Sequence, residues 1–460
     1  MKDDNKTVLF EQMPIPKAVL QLSIPTIMGT LVMVLYNLAD TYFVGMLNDP
    51  IQNAAVTLAA PVLLAFNAVN NLFGVGGSSM MSRALGRKDY ETVSQSSAFV
   101  FYCSLVSGVV FSLLSLIFHT PLLHMLGAEP DTIAATSEYL KWTVICGAVP
   151  AILNVVMSYL VRSEGAAMHA SIGAMSGCLL NIVLDPIFIL PQGLGMGSAG
   201  AGLATFISNC VACLYFLVLI WHKRGHTYVC IDPRKFAFRS RIVREVFGVG
   251  IPASIQNLLN VVGMTILNNF MSSYGSDAVA AMGIAQKINM IPMYVSMGFS
   301  QGIMPLISYN YASGNHKRMK KGFVFAGSIS IGFIVAVVVG YFLGAGALIR
   351  MFMDNEVIIA YGTRFLRAFC LGLPFLCIDF MAVGVFQAVG MGKHALIFAI
   401  MRKILLEIPA IYILNYFIPM YGLAYSQFVA ELVLAVAAVI VLVRFFAKLE
   451  KDAGQKEKVA

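Results

Sequence analysis

Long apolar runs separated by short polar stretches dominate the pattern along this chain. Each run is long enough to cross a hydrocarbon layer of about 30 Å as an α-helix. Helices are expected because a bilayer offers no water to satisfy open backbone groups, and the runs are too long for barrel strands. We predict twelve transmembrane helices, over residues 17–45, 54–82, 93–118, 132–160, 167–190, 198–221, 243–270, 278–312, 318–345, 358–388, 394–418 and 421–447.

Basic residues concentrate on one side of these predicted helices. Of the 31 Lys and Arg residues, twenty-four lie in the two tails, in the loops after even-numbered helices or at the adjoining helix ends, and only Arg350 lies in an opposite loop. Cytoplasmic loops of membrane proteins carry this excess of positive charge. We therefore expect a multi-pass protein of the bacterial inner membrane with both termini in the cytoplasm. The net charge of +8 follows from this topology and predicts no nucleic-acid partner.

Composition excludes a water-soluble globular protein, because 58% of the residues are hydrophobic and only 12% are charged. The eight cysteines are scattered and predict no disulfide framework. Cys210 and Cys213 form a C-x-x-C inside a predicted helix, where packing is expected rather than zinc or redox chemistry. The sequence has neither a phosphate-binding motif nor a catalytic constellation. We therefore expect no enzyme activity and no cofactor.

The longest polar stretch divides the chain into two halves. Residues 222–242 predict a cytoplasmic linker between an N-lobe and a C-lobe of six helices each. The resulting domains are an N-terminal tail (residues 1–16), the N-lobe (17–221), the linker (222–242), the C-lobe (243–447) and a C-terminal tail (448–460).

Matching motifs recur in the two halves, as in transporters built from repeats. Ile24-Pro25 recurs as Ile251-Pro252, and Gly202-Leu203-Ala204 recurs as Gly422-Leu423-Ala424. The best match pairs Gly165, His169, Ala170, Ile172 and Ala174 with Gly390, His394, Ala395, Ile397 and Ala399. Since each half has six helices, the copies share one orientation about a pseudo-two-fold axis along the membrane normal. Two six-helix lobes facing a central cavity, and alternating access, are expected.

Acidic residues inside the predicted helices are the main candidates for function, since each costs at least about 2.5–3.5 kcal/mol in lipid. They are Asp40, Asp185, Asp379, Glu407 and Glu431.

Depth brings two of these acids together. Asp40 and Asp185 each lie about five residues from the outer end of an outward-running helix, and Thr205 lies near that level on an inward-running one. Asn181 precedes Asp185 by one turn on the same face. Asp40, Asn181, Asp185 and Thr205 are the predicted cation-coupling site. Its oxygen atoms suit Na⁺, and two neighbouring carboxylates equally suit a proton.

Other readings of these residues stay open. Asp40 and Asp185 could face interfacial water or cap helix ends, and Asn181 and Thr205 could each make an interhelical hydrogen bond. Glu407 could form a structural ion pair with a neighbouring base or take part in coupling.

Four motifs resemble those of multidrug and toxic compound extrusion (MATE) transporters, in particular the bacterial MepA-like branch. They are Ile24-Pro25 with Tyr36-Asn37-Leu38-Ala39-Asp40-Thr41, Arg162-Ser163-Glu164-Gly165, Asn181-x-x-x-Asp185-Pro186, and Gly202-Leu203-Ala204-Thr205. The resemblance covers residues 15–447. It implies a V-shaped, two-lobed fold and antiport, in which H⁺ or Na⁺ enters while amphipathic, often cationic compounds leave.

The resemblance also implies site residues. The N-lobe cation site of the family matches Asp40, Asn181, Asp185 and Thr205, the set that depth selects. Cavity positions match Tyr36 and Asn154, and we add Asn37, Gln256 and Asp379 as predicted cavity residues and Pro25 as a predicted hinge. Some branches carry a glutamate in helix 7, where this chain has Gln256, Asn257 and Asn260, so a cation site in the C-lobe stays an open question.

Three alternatives differ in what the cavity needs. A flippase for lipid-linked precursors would need several basic residues to hold a pyrophosphate, and few lie in the predicted helices. A membrane-embedded enzyme would need a nucleophile and base or a metal site. A channel would be expected to show a repeated pore loop. A cation-coupled multidrug exporter, working as a monomer in the lipid bilayer, fits the sequence best.

Overall fold

The computed structural model describes residues 4–459, with side chains over residues 7–452, and this part of the chain is helical without a strand. The first ten helices precede the linker: α1 (Asp4–Glu11), α2 (Ile15–Gly45), α3 (Pro50–Asn70), α4 (Gly76–Gly86), α5 (Tyr90–Ile117), α6 (His119–Met125), α7 (Ile133–Leu140), α8 (Ala148–Ser163), α9 (Ala167–Ile189) and α10 (Ser198–His222). Seven follow it: α11 (Ser240–Ser272), α12 (Ser276–Ala312), α13 (His316–Arg350), α14 (Glu356–Ala388), α15 (Gly392–Ile400), α16 (Ile408–Phe417) and α17 (Tyr421–Val459).

Within the described residues, nine helices are long and apolar enough to cross a membrane. A tenth crossing consists of residues 133–145 and 148–163, two helical pieces bent by 44°. Two further predicted segments are also helical but less uniformly apolar. They correspond to α12 and to the run from α15 to α16, which contains Arg402, Lys403 and Glu407. The predicted all-α membrane fold is therefore confirmed.

Three π-helical segments interrupt these crossings. Asn71–Val75 joins α3 to α4, Lys141–Ile145 follows α7, and Met401–Glu407 joins α15 to α16. A π segment changes the direction in which successive side chains point, and such segments are common at functional sites. The third one carries Arg402, Lys403 and Glu407.

The chain forms two compact units whose boundaries fall inside helices. Unit 1 comprises Met1–Gln12 and Met28–Ser254, and unit 2 comprises Met13–Ile27 and Ile255–Ala460. The first part of α2 thus belongs to unit 2, and the first part of α11 belongs to unit 1. Pro25 and Pro252 each lie two residues before such a boundary, so the repeated Ile-Pro motif marks the place where each helix passes from one unit to the other.

Close backbone contacts hold these helix starts in place. In unit 1, Ser254 Oγ donates a hydrogen bond of 2.6 Å to the carbonyl oxygen of Ala68. In unit 2, a Cβ added to Gly302 would lie 2.7 Å from the Cα of Ser23, so only glycine permits this approach. Small residues and carbonyl hydrogen bonds are the usual means of helix association in lipid.

Candidate functional site

The first part of the site is built by the packing of α9 on α10. Gly173, Gly177, Asn181 and Asp185 follow one another at four-residue spacing and therefore share one face of α9. A Cβ added to Gly177 would lie 3.1 Å from the Cβ of Ala212 and 3.2 Å from the carbonyl oxygen of Ser208, and one added to Gly173 would overlap the ring of Phe216. The two glycines thus let α10 approach closely, and the next two side chains on that face are the predicted site residues.

Asn181 joins the two helices by hydrogen bonds. With the nitrogen of its amide facing Asp185, Asn181 donates to both carboxylate oxygens, at 3.1 Å to Oδ1 and 2.7 Å to Oδ2. In the same orientation its oxygen accepts from the backbone N–H and the hydroxyl of Thr205, at 3.1 and 3.2 Å. This orientation satisfies both ends of the amide. Asn181 and Asp185 are buried, at 2% and 0% exposure.

Two side chains of α2 complete the predicted set. Asp40 interacts electrostatically with Asp185, and the Tyr36 side chain hydrogen-bonds with that of Thr205. Because Tyr36 and Asp40 are four residues apart, both lie on the face of α2 that meets this cluster. Asp40, Asn181, Asp185 and Thr205, which we call the N-lobe site, are therefore brought together in unit 1, as depth and the family resemblance predict.

Tyr139 is a further member that the sequence analysis missed. It lies on α7, is 4% exposed, and interacts electrostatically with both Asp40 and Asp185. A Cβ on Gly202 would lie 3.1 Å from its carbonyl oxygen, so this glycine of the repeated Gly-Leu-Ala motif lets α10 approach α7. A neutral tyrosine is not found by a search for charged residues inside helices. The sequence feature that could have indicated Tyr139 is Gly202, which marks a close contact between two helices.

Among the residues whose side chains the structure describes, the N-lobe site has no basic partner. Across residues 7–452, no salt bridge joins Asp40 or Asp185 to Lys, Arg or His. The side chains offer carboxylate, amide and hydroxyl oxygens, a donor set that suits a hard monovalent cation or a proton. No fixed positive charge in residues 7–452 therefore balances the two carboxyl groups of this site.

The remaining predicted residues lie in different surroundings. In unit 1, Asn154 donates a hydrogen bond of 3.0 Å to Asn209 Oδ1 on α10, and Asn37 is exposed on α2. Asn209, one turn beyond Thr205, was also missed by the sequence analysis. In unit 2, Gln256 accepts a hydrogen bond of 3.4 Å from Gln387. Asp379 is buried at 1% exposure.

Asp379 belongs to a buried group of charges in unit 2. Arg402 lies 3.0 Å from Asp379 and 3.3 Å from Glu431, and it donates a hydrogen bond of 2.8 Å to Asn260 Oδ1. We call Asp379, Arg402, Lys403, Glu407 and Glu431 the Arg402 cluster.

The second base of this cluster pairs within its own helix. Lys403 donates hydrogen bonds of 2.7 and 2.6 Å to the two oxygens of Glu407. Of the two readings left open for Glu407, the ion pair is the one that this geometry forms.

Comparison with known proteins fixes the family. The MatE family model matches residues 25–187 and, a second time, residues 252–413. The chain belongs to the MatE family. Its two matches fall in the halves between which the sequence motifs recur. The MATE resemblance predicted from the sequence is confirmed, and this chain is a membrane transporter of that family rather than an enzyme.

Relatives match this MATE chain over its whole length. It is 33% identical over 458 residues to the multidrug export protein MepA of Staphylococcus aureus strain MRSA252, and the match covers 99% of each protein. It is 32% identical over 458 residues to MepA of Staphylococcus saprophyticus, again covering 99% of each.

Solved structures of the family have the same fold. An outward-facing multidrug resistance MATE transporter of the MOP superfamily has a TM-score of 0.92 at 28% identity, covering 98% of this chain and 100% of that one. A MOP superfamily transporter from Pyrococcus furiosus, described as having a binding pocket of reversed polarity, has a TM-score of 0.89 at 28% identity, with 98% and 99% covered.

Proposed function

We propose that this MATE transporter is an antiporter that exports amphipathic, often cationic small molecules and is driven by the entry of H⁺ or Na⁺ through the N-lobe site. The single observation that carries the proposal is a pair of interacting carboxyl groups, those of the buried Asp185 and the partly buried Asp40, without a basic partner in the described part of the chain.

Electrostatics explains why such a pair can couple transport. Two carboxylates in a low-dielectric site repel each other, and a proton or a monovalent cation relieves that repulsion. A cationic substrate relieves it too, so the ion and the substrate would compete for the same negative charge. In alternating access, a site that holds either the ion or the substrate carries one inward and the other outward. Competition for one negative site is therefore sufficient for antiport.

The substrate class rests on two supports. The relatives from both Staphylococcus species are named multidrug export proteins, and this chain matches them over its full length. The N-lobe site also combines negative charge with the ring of Tyr36 and the ring of Tyr139, and aromatic faces attract organic cations. We further propose that the protein works as a monomer in the inner membrane with both termini in the cytoplasm, because the basic residues follow that topology.

Efflux from proteoliposomes tests the proposal. The full-length protein is reconstituted with a fluorescent organic cation, and either a pH gradient or a Na⁺ gradient is imposed. We expect one gradient to accelerate movement of the dye and the Asp40→Asn, Asp185→Asn double variant to abolish this acceleration.

Asp49→Asn is the matched control. Asp49 caps α3 by accepting a 2.9 Å hydrogen bond from the backbone N–H of Ile51, and asparagine caps equally well. Its transport should equal that of the wild type. Gradient-driven transport that persists in the double variant would refute the N-lobe site as the coupling site.

A further inference from the structure

The Arg402 cluster is buried as a whole. The exposed side-chain fraction is 7% for Arg402, 2% for Asp379 and 0% for Glu431, and it is 11% for Lys403 and 6% for Glu407. All five lie within α14, α17 and the π segment Met401–Glu407. Their charges are therefore withdrawn from water and must balance one another.

The charges of these five side chains do not balance when all are ionised. Asp379, Glu407 and Glu431 carry three negative charges, and Arg402 and Lys403 carry two positive ones. The charged groups that face Glu431 are the other four members, from α14 and from the π segment. A third helix that contacts Arg402, α11, contributes the neutral amide of Asn260. One further positive charge is needed for neutrality.

Hydrogen bonds indicate which member needs that charge. Asp379 Oδ2 accepts an N–H of Arg402, and both Glu407 oxygens accept from Lys403. Asp379 Oδ1 receives no hydrogen bond in the described structure, and neither oxygen of Glu431 receives one, although Arg402 Nε lies 3.3 Å from Glu431 Oε1. Glu431 is therefore the acid of the cluster without any hydrogen-bond donor. A carboxylate without a donor, far from water, is much less stable than a carboxylic acid in the same place.

We propose that the Arg402 cluster is a proton-binding site that holds one proton, on the carboxyl group of Glu431. Hydronium in bulk water supplies the proton: one of its O–H bonds breaks to leave water, and an O–H bond forms at a carboxylate oxygen of Glu431. A metal ion is a poorer occupant because the guanidinium of Arg402 already lies between Asp379 and Glu431. The site is separate from the N-lobe site, and this inference does not depend on the proposed coupling role.

Infrared difference spectroscopy of the purified full-length protein tests the proposal at neutral pH. A protonated carboxyl group has a carbonyl band that shifts on exchange into D₂O. We expect Glu431→Gln to remove one such band from the wild-type spectrum. Glu356→Gln is the matched control, because Glu356 is 81% exposed and pairs with Arg350, so it should leave the spectrum unchanged.

A second variant keeps the test valid if Glu431→Gln fails to fold. In Asp379→Asn the two remaining acids balance Arg402 and Lys403, so Glu431 should release its proton and the same band should disappear. A band that persists in both variants would overturn the proposal. Adding Na⁺ should leave the carbonyl band of the wild type unchanged. If Na⁺ removed that band, a metal ion would be the occupant, and the proposed proton site would be overturned.

Thermal unfolding provides an independent readout. Glu431→Gln removes the carboxyl group together with its proton, and Asp379→Asn removes a negative charge that loss of the Glu431 proton compensates, so each single variant should lower the Tm only slightly. The double variant Asp379→Asn, Glu431→Gln has no proton left to lose and keeps an excess positive charge. Its Tm should fall by clearly more than the sum of the single changes, and an additive result would contradict the one-proton balance.

Discussion

The N-lobe site and the Arg402 cluster are two groups of acids within the helices of one chain, and they differ in whether a basic side chain lies against them. Asp40 and Asp185 have no basic partner in the described residues, whereas Asp379 and Glu431 lie against Arg402. The guanidinium is a fixed part of the protein, whereas a proton or a cation can enter and leave. We infer that the acids of the N-lobe site, which lack a fixed counter-charge in the described residues, are the better candidates for ion exchange.

The matching helices of the internal repeat carry different side chains at the positions of these two groups. Continuing the alignment of His169 with His394 without gaps places Arg402 at the position of Gly177, Leu406 at that of Asn181 and Ala410 at that of Asp185. The second half thus has no polar pair at the matching positions, and it has an arginine where the first half has a close helix contact. The π segment Met401–Glu407 lies where this larger side chain enters.

The largest expected effect separates the two groups by function. Asp185→Asn should reduce gradient-driven transport to the level of protein-free liposomes, because the mobile cation loses its partner. Asp379→Asn should retain a response to the gradient, because Arg402 and the remaining acids still balance. Efflux of a fluorescent cation measures both, and equal loss in the two variants would remove the functional distinction.

The next effect separates them by stability. Arg402→Leu leaves buried acids without their counter-charge, a change that costs about 3–5 kcal/mol in comparable buried pairs. Adding Asp379→Asn should restore part of this loss, since fewer unpaired acids remain. Thermal unfolding in detergent is the measurement, and a double variant no more stable than Arg402→Leu alone would contradict the assigned partnership.

A smaller effect tests the helix packing that builds the N-lobe site. Gly177→Val places a branched side chain against Ala212 and the carbonyl of Ser208, and overpacking of this kind costs about 1–3 kcal/mol. Displacement of α10 should also weaken transport. The same change at Gly332, where an added Cβ meets nothing within 4 Å, is the control and should leave both the Tm and transport near wild type.

The smallest effect compares helix caps in the two halves. Asp89 caps α5 by accepting from Thr92 N at 3.1 Å, and Asn315 caps α13 by accepting from Arg318 N at 3.1 Å. Replacing either by alanine should cost about 1 kcal/mol.

The two caps should differ in their response to pH. The hydrogen bond from the Thr92 hydroxyl lowers the pKa of Asp89 below its usual value of about 3.9. The stabilisation by its charge is therefore present above that value and is lost as the pH falls through the lower folded pKa. The cost of Asp89→Ala should shrink in acid, while that of Asn315→Ala should stay constant, as unfolding measured at several pH values would show.

Much of the fold and the residues of the N-lobe site could be predicted from the sequence. The lengths of the apolar runs predicted an all-helical membrane protein, because lipid permits few other solutions. Depth and the four-residue spacing of Asn181 and Asp185 predicted the N-lobe site, because both follow from helix geometry.

The rest depends on contacts between distant helices. Tyr139 and Asn209 reach their neighbours through side-chain directions that no spacing encodes. Asp379 and Arg402 are 23 residues apart in the sequence, and Arg402 lies in a π segment. The directions of the side chains in such a segment cannot be read from the hydropathy pattern. A sequence can thus locate a buried acid, but only the packed structure shows whether a fixed base faces it.

The most direct test of the central claim is the equilibrium affinity of the purified protein for a fluorescent organic cation, measured across pH and Na⁺ concentration. If the N-lobe site is the exchanging site, H⁺ or Na⁺ should compete with the organic cation for binding to the wild type. The ion should have no such effect on the Asp40→Asn, Asp185→Asn variant. Competition that is unchanged in this variant but abolished in Asp379→Asn would contradict the account, because the exchanging charge would then lie in the Arg402 cluster.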